Sequence, residues 1–221
     1  MGILIAIDGV DSSGKGLQSR MLFEALSEKY DNAIKVSFPD YDSESSALVK
    51  MYLSGQFGKA VDSVNAYAAS MFFAVDRYAS FKKNWGEQYN NGSVIVCDRY
   101  VTSNAIHQSV KLPIEKRDEF LHWIDDAEYN KLGLPRPDVV IFLDMPVDMA
   151  MKLMSGRYEG DESKKDIHEA DIDYLKTCHK AAQYACEKFG WKRIECVKNG
   201  VLRTPEDIHR EVMETVERVI C

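Results

Sequence analysis

Five short runs of mostly apolar, often β-branched residues recur along the chain, over residues 3–8, 33–38, 94–98, 139–144 and 193–197. Most are apolar at nearly every position rather than at alternate ones, the pattern of strands covered on both faces. Between them the apolar positions change to helical spacing. Leu17, Met21, Leu22, Ala25 and Leu26 form one stripe over residues 17–30, and the same periodicity predicts helices over 43–54, 64–90, 113–131, 147–156, 168–189 and 205–220. Thr204, Pro205, Glu206 and Asp207 make a capped, acidic helix start. Strands alternating with helices predict βαβ units with right-handed crossovers: an α/β fold in which helices flank a five-stranded parallel sheet. The charged segment RYEGDESKKDIHE, residues 157–169, interrupts two helical patterns and reads as a solvated loop or a short lid.

Composition narrows the picture. A chain of 221 residues with 45% hydrophobic content suits a single domain over residues 1–221. No apolar run approaches the roughly 20 residues of a membrane span, and the first residues lack the pattern of a secretory leader. Cysteines 97, 178, 186, 196 and 221 are odd in number and form no CxxC pair. Together these features predict a cytoplasmic protein with reduced thiols. A net charge of −7 disfavours a nucleic-acid partner. A small polyanion remains possible where a few cations converge in one cleft. His168, Cys178, His179 and Cys186 have spacings that fit no usual zinc site.

The candidate chemistry begins behind the first strand, in GVDSSGKGL, residues 9–17. Gly9 and Gly14-Lys15 have the spacing of a phosphate-binding loop, with a strand before and a helix after. Such a loop turns backbone N–H groups toward phosphate oxygens, and the helix N-terminus adds its dipole. On that reading Gly9, Val10, Asp11, Ser12, Ser13, Gly14, Lys15, Gly16 and Leu17 hold ATP, and Lys15 is the charge for its outer phosphates. The hydroxyl residue that normally follows the lysine and ligates Mg²⁺ is absent. Magnesium takes only one or two protein ligands and keeps waters, so this predicts more water-mediated metal binding rather than lost nucleotide binding. The third strand ends in Cys97-Asp98-Arg99-Tyr100. An apolar strand with a terminal acid resembles a Walker B element, which makes Asp98 the candidate metal residue and puts Arg99 in the same cleft.

These residues, with FPDY (38–41), FFAVDRY (72–78), DRYVTSNAIHQ (98–108) and LGLPRPD (132–138), resemble the thymidylate kinases, P-loop nucleoside monophosphate kinases. The resemblance implies the three-layer P-loop kinase fold and transfer of the γ-phosphoryl group of ATP, with Mg²⁺, to dTMP. It implies that Asp11 faces the acceptor's sugar and phosphate, and that Pro39 and Tyr41 flank the acceptor phosphate. Arg99 would reach that phosphate, Phe73 would stack on thymine and Arg77 would meet a base carbonyl. Ser103 and Asn104 would line the base pocket. Lys15, Arg99, Arg157 and Asp11 are then the catalytic set, with Arg157 as the lid cation. Asp166 and His168 fall where some relatives approach the acceptor sugar, and Lys198–Gly200 where a loop meets adenine. The family also implies a homodimer, through helices such as 64–90.

Three departures stand against the family pattern. Gly16 and Leu17 remove both hydroxyls after the lysine. His107 stands where the family has tyrosine near the sugar 2′ carbon, which opens the question of deoxyribose preference. Position 12 is Ser, and the lid offers one arginine, Arg157, with Lys164 and Lys165. The alternative expectations are a kinase for another nucleotide, or a nucleotide-binding protein with impaired catalysis.

Overall fold

The computed structural model describes residues 1–157, 161 and 166–220. Five parallel strands, β1 (Ile3–Gly9), β2 (Ala33–Ser37), β3 (Val94–Asp98), β4 (Val139–Asp144) and β5 (Lys192–Glu195), form one sheet in the order β2-β3-β1-β4-β5. Ile3 lies opposite Val94 on one side of β1, and Ile5 opposite Val139 on the other. The chain order reverses around β1, which is where open α/β sheets carry their ligand crevice.

Successive side chains of β1 go to opposite faces, as the strand period requires. Ile5 and Ile7 join a core with Leu22 and Leu26 of α1 (Lys15–Ser27), Ala150 of α7 (Val147–Arg157) and Val212 and Val216 of α9 (Pro205–Ile220). Leu4 and Ala6 join a second core, built with Ala66 of α3 (Ala66–Ser80) and Phe120 and Ile124 of α6 (Ile114–Asp125), together with Trp85, Tyr89 and Tyr100. Both faces are therefore covered, and the near-continuous apolar runs are explained.

Several boundaries differ from the sequence expectation. The helix expected over 43–54 is a 3₁₀ turn, Glu44–Ser46, followed by α2 (Ala47–Leu53). The one expected over 64–90 is α3, a π-helical turn Phe81–Trp85, and α4 (Gly86–Asn90). A Cβ on Gly86 would lie 2.5 Å from the Phe81 carbonyl oxygen, so only glycine allows that wide turn to close. The helix expected over 113–131 likewise ends in a π turn, Asp126–Lys131, after α6. A short helix that periodicity did not show, α5 (Val101–His107), follows β3 directly. α8 (Ile172–Phe189) begins four residues later than expected, with the Asp171 side chain accepting from Tyr174 N–H as its N-cap. The fifth strand stops at Glu195. Val197–Lys198 then turns back on Val201–Leu202 as a small hairpin, β6 and β7, through Asn199 and Gly200 at φ 52° and 76°.

Candidate functional site

The carboxyl ends of β1 and β3 meet over a cavity of about 780 Å³. The loop after β1 is shaped by glycine. A Cβ on Gly9 would lie 2.5 Å from Ser13 Oγ and 3.0 Å from the Leu143 carbonyl oxygen. Gly14 sits at φ 91° immediately before α1. Lys15 is buried and donates to the Val10 carbonyl at 2.7 Å, which holds its ammonium at the cavity rim. Asp11, Ser12, Gly14, Lys15 and Gly16 face the cavity. Val10 belongs to the core, Ser13 is buried behind the loop and Leu17 is half-buried on α1.

Arg99 is the hub. Its backbone at φ 64° turns the side chain back across the strand ends. Its guanidinium pairs with Asp11, approaches Asp8 Oδ1 at 3.8 Å, donates to Ser103 Oγ at 3.4 Å and meets His107 Nε2 at 3.3 Å. Lys15 Nζ lies 3.8 Å from Asp11. The electrostatics follow. Burial opposes ionisation of Asp11, but Arg99 and Lys15 outweigh it and hold the carboxyl far below the usual carboxylate range. Burial, then Arg99, push the Lys15 ammonium down to about 8 against the pull of Asp11, Asp8 and Asp98. Asp8, fully buried, accepts from Thr102 Oγ1 at 2.7 Å and Ser103 Oγ at 2.8 Å, tying α5 to β1.

At the far end of the cavity Arg77 is gripped by Glu128 through two bonds, Nε to Oε2 at 2.7 Å and Nη2 to Oε1 at 2.6 Å. Burial opposes the Arg77 charge, and Glu128 more than restores it. Asn104 donates to the same Glu128 oxygen at 2.8 Å and to the Ser70 carbonyl at 3.1 Å. Phe73 faces the cavity and packs edge-on against Tyr52, ring centroids 6.2 Å apart. Pro39 and Tyr41 line the cavity on the β2 side, following a cis Phe38–Pro39 bond. The Asp40 N–H donates to Asp76 at 2.8 Å, which anchors that loop to α3.

Between the two ends lie His107 and His168, both buried, their rings stacked 10° from parallel with centroids 5.8 Å apart. Burial and then Arg99 hold His107 well below the usual imidazole value, and burial and then Lys111 push His168 down to about 3. Asp166 accepts the backbone N–H groups of His168 at 2.8 Å and Glu169 at 2.9 Å. Burial and the facing Asp11 raise its carboxyl to about 7. Asp98 lines the cavity beside the first turn of α1. Arg157 closes α7, but its side chain, and Lys164 and Lys165, lie outside the described residues. Lys198–Gly200 form the β6–β7 turn.

The sequence reading thus finds Asp11, Lys15, Pro39, Tyr41, Phe73, Arg77, Asp98, Arg99, Ser103, Asn104 and His107 gathered on one cavity. It missed Asp8, Tyr52, Asp76, Lys111 and Glu128. Asp8 carried a signal, as the acid closing an apolar strand. Glu128 carried none, because a lone acid in a polar stretch looks solvated until the fold buries it.

Strand order, phosphate loop and strand-end acid together define a P-loop kinase fold. The thymidylate kinase family profile matches residues 7–208, and the chain belongs to that family. It is 28% identical to a probable thymidylate kinase of Thermococcus gammatolerans over 222 aligned residues, covering 100% of this chain and 98% of the relative. It is 32% identical over 177 residues to the thymidylate kinase of Mycobacterium tuberculosis, covering 77% of this chain and 79% of the relative. The solved thymidylate kinase of Candida albicans superposes with a TM-score of 0.72 at 19% identity, over 98% of this chain and 92% of that one.

Proposed function

We propose that the protein transfers the γ-phosphoryl group of ATP to dTMP, giving ADP and dTDP. The observation that carries this is a single cavity with two unlike ends. One end is a phosphate loop with Lys15 and Arg99, and the other is a flat aromatic, Phe73, beside the clamped Arg77 and Asn104. A nucleoside monophosphate has the matching polarity, with its phosphate toward the loop and its base toward the aromatic.

Phosphoryl transfer asks the protein mainly to align two anions and neutralise charge. Lys15, held against the Val10 carbonyl, meets the outer phosphates of ATP. Arg99, aimed by Asp11 and Ser103, takes the acceptor phosphate, and its planar fork suits two phosphoryl oxygens. The acceptor phosphate is itself the nucleophile, so Asp11 positions Arg99 and Lys15 rather than removing a proton. Arg157 is proposed as the lid cation. Nη1 of Arg77 makes no hydrogen bond with a described residue and is the atom assigned to a thymine carbonyl.

The residues fit magnesium. A Cβ on Gly16 would lie 3.3 Å from Asp98 Oδ2, so that carboxylate faces the first turn of α1, and its oxygen donors suit a hard cation. Asp98 would hold the ion with phosphate oxygens and water, and the ion would supply charge neutralisation on the β- and γ-phosphates. The chain is proposed to act in the cytoplasm, on the four buried, unbridged cysteines 97, 178, 186 and 196, and as a homodimer. The test is a coupled assay with an acceptor panel. ADP release is expected to depend on dTMP, and faster release with dUMP or dCMP would overturn the choice of acceptor.

A further inference from the structure

Glu128 does not line the cavity, yet it is the one buried residue of the π turn Asp126–Lys131. It lies behind the base end and accepts from two side chains that do line it, each on a different element. Arg77 of α3 donates Nε and Nη2 to it, and Asn104 of α5 donates Nδ2. Each grip leaves one atom over. A guanidinium carries five N–H donors in a rigid plane, so a carboxylate held across Nε and Nη2 fixes where Nη1 points. That nitrogen bonds to no described residue and is not among the sealed unpartnered atoms. The Asn104 amide uses both its hydrogens, on Glu128 Oε1 and on the Ser70 carbonyl 3.1 Å away. Both of those partners accept, so the amide cannot be turned over. Its Oδ1 is left as an acceptor, likewise not among the sealed atoms.

The base end therefore presents one donor and one acceptor, Arg77 Nη1 and Asn104 Oδ1, and a residue outside the cavity sets both. We propose that Glu128 is the positioning residue of the base end, and that through Arg77 and Asn104 it decides which pyrimidine edge the site accepts. This rests on the dTMP reading above. Thymine offers a carbonyl oxygen beside a ring N–H, which meets the donor and the acceptor. Cytosine offers an amino group beside a bare ring nitrogen, which sets donor against donor and acceptor against acceptor. A site built for hydrogen bonds rejects such a base strongly, because its own buried polar groups stay unpaired. The acid has a second effect. Its charge cancels that of Arg77, the two side chains being 2% and 1% exposed, so the base end does not compete with Lys15 and Arg99 for the acceptor phosphate.

The experiment compares dTMP with dCMP as acceptors at saturating ATP, in the native chain and in Glu128→Gln. The native chain is expected to prefer dTMP by about 100-fold or more in kcat/KM. Glu128→Gln keeps the shape of the side chain, but its amide nitrogen cannot accept from the guanidinium. It is expected to lower that preference by about 10-fold or more, the size of one hydrogen bond to a charged group. The loss is expected in a higher KM for dTMP, while ATP binding by calorimetry stays near that of the native chain. A merely structural role would weaken both acceptors alike, and an unchanged ratio in a variant with native-like circular dichroism would overturn the proposal. So would a native chain with no preference between the two acceptors. Should Glu128→Gln fail to fold, Glu128→Asp keeps the charge balance but withdraws the carboxylate by one methylene. It is expected to lower the same ratio, and an unchanged ratio there would overturn the proposal as well. A native chain that turns over neither acceptor would instead bring down the proposed function, whereas dTMP turnover with a ratio that neither variant moves brings down this inference alone.

Discussion

Arg99 shows how much one side chain can be asked to do. It sits at φ 64°, between Asp11, Asp8, Ser103 and His107, and the surrounding acids raise its pKa against the cost of burial. An arginine on a transferring phosphoryl group is worth about 10³–10⁵ in rate. Arg99→Ala is accordingly expected to lower kcat by at least about 10³, with a circular dichroism spectrum like that of the native chain. Near-normal kcat would remove Arg99 from the catalytic set. Gly16 is the matching test at the proposed magnesium site. The Cβ of a serine there would lie 3.3 Å from Asp98 Oδ2, near enough for its hydroxyl to share the ion once the carboxylate gives by a few tenths of an ångström. Gly16→Ser is expected to lower the Mg²⁺ concentration for half-maximal activity, and an unchanged titration would refute the account of the missing hydroxyl. Residues such as Lys15, Asp98 and Arg99 were legible in the sequence because short-range rules govern them: loop spacing and an acid at a strand end. Tyr52, Lys111 and Glu128 were not, because each acquires its role only from partners 24 to 116 positions away.

At the scale of elements, the strands were read nearly to their ends, since burial on both faces leaves unbroken apolar runs. α5 was invisible for a related reason. Of Val101–His107 only Ser103 is not buried, so there is no polar face to mark a helical period, and Val and Thr lower its propensity. The β6–β7 hairpin escaped because two-residue strands are too short to alternate, although Asn199-Gly200 is a strong turn pair. The π turn after α6 also has a consequence, for it carries Glu128 to Arg77 of α3, where both are about 1% exposed. Breaking a buried pair from one side leaves an uncompensated charge and costs about 3–5 kcal/mol, whereas replacing both partners is far milder. Glu128→Leu is thus expected to lower unfolding free energy in urea by that amount, and adding Arg77→Met to recover much of the loss. Equal losses in the single and double variants would show that an unpaired Arg77 charge is not what the single substitution costs. The double variant is still expected to bind dTMP poorly, because the guanidinium assigned to thymine is gone.

On the scale of the whole molecule, α3 joins two surfaces. Its inner side brings Phe73 and the buried Arg77 to the cavity, while Val75 and Tyr78 are 45% and 36% exposed. α2 packs on α3 and exposes Leu48 at 42%. An apolar face shared by two packed helices is the kind of surface that a second copy covers in an isologous dimer. Light scattering at micromolar concentration is expected to give twice the chain mass of 25.1 kDa. Val75→Glu, which adds a charge at an exposed position, is expected to shift the protein toward monomer while leaving its circular dichroism unchanged. A monomeric native chain would refute the dimer, and a dimeric Val75→Glu variant would move the interface elsewhere. If the dimer forms on this face, the same helix bears on the partner and on the base end of the cavity. Monomeric Val75→Glu should then bind dTMP more weakly, through loss of Phe73 and Arg77 alignment, while its ATP affinity, set at the loop after β1, stays near that of the native protein.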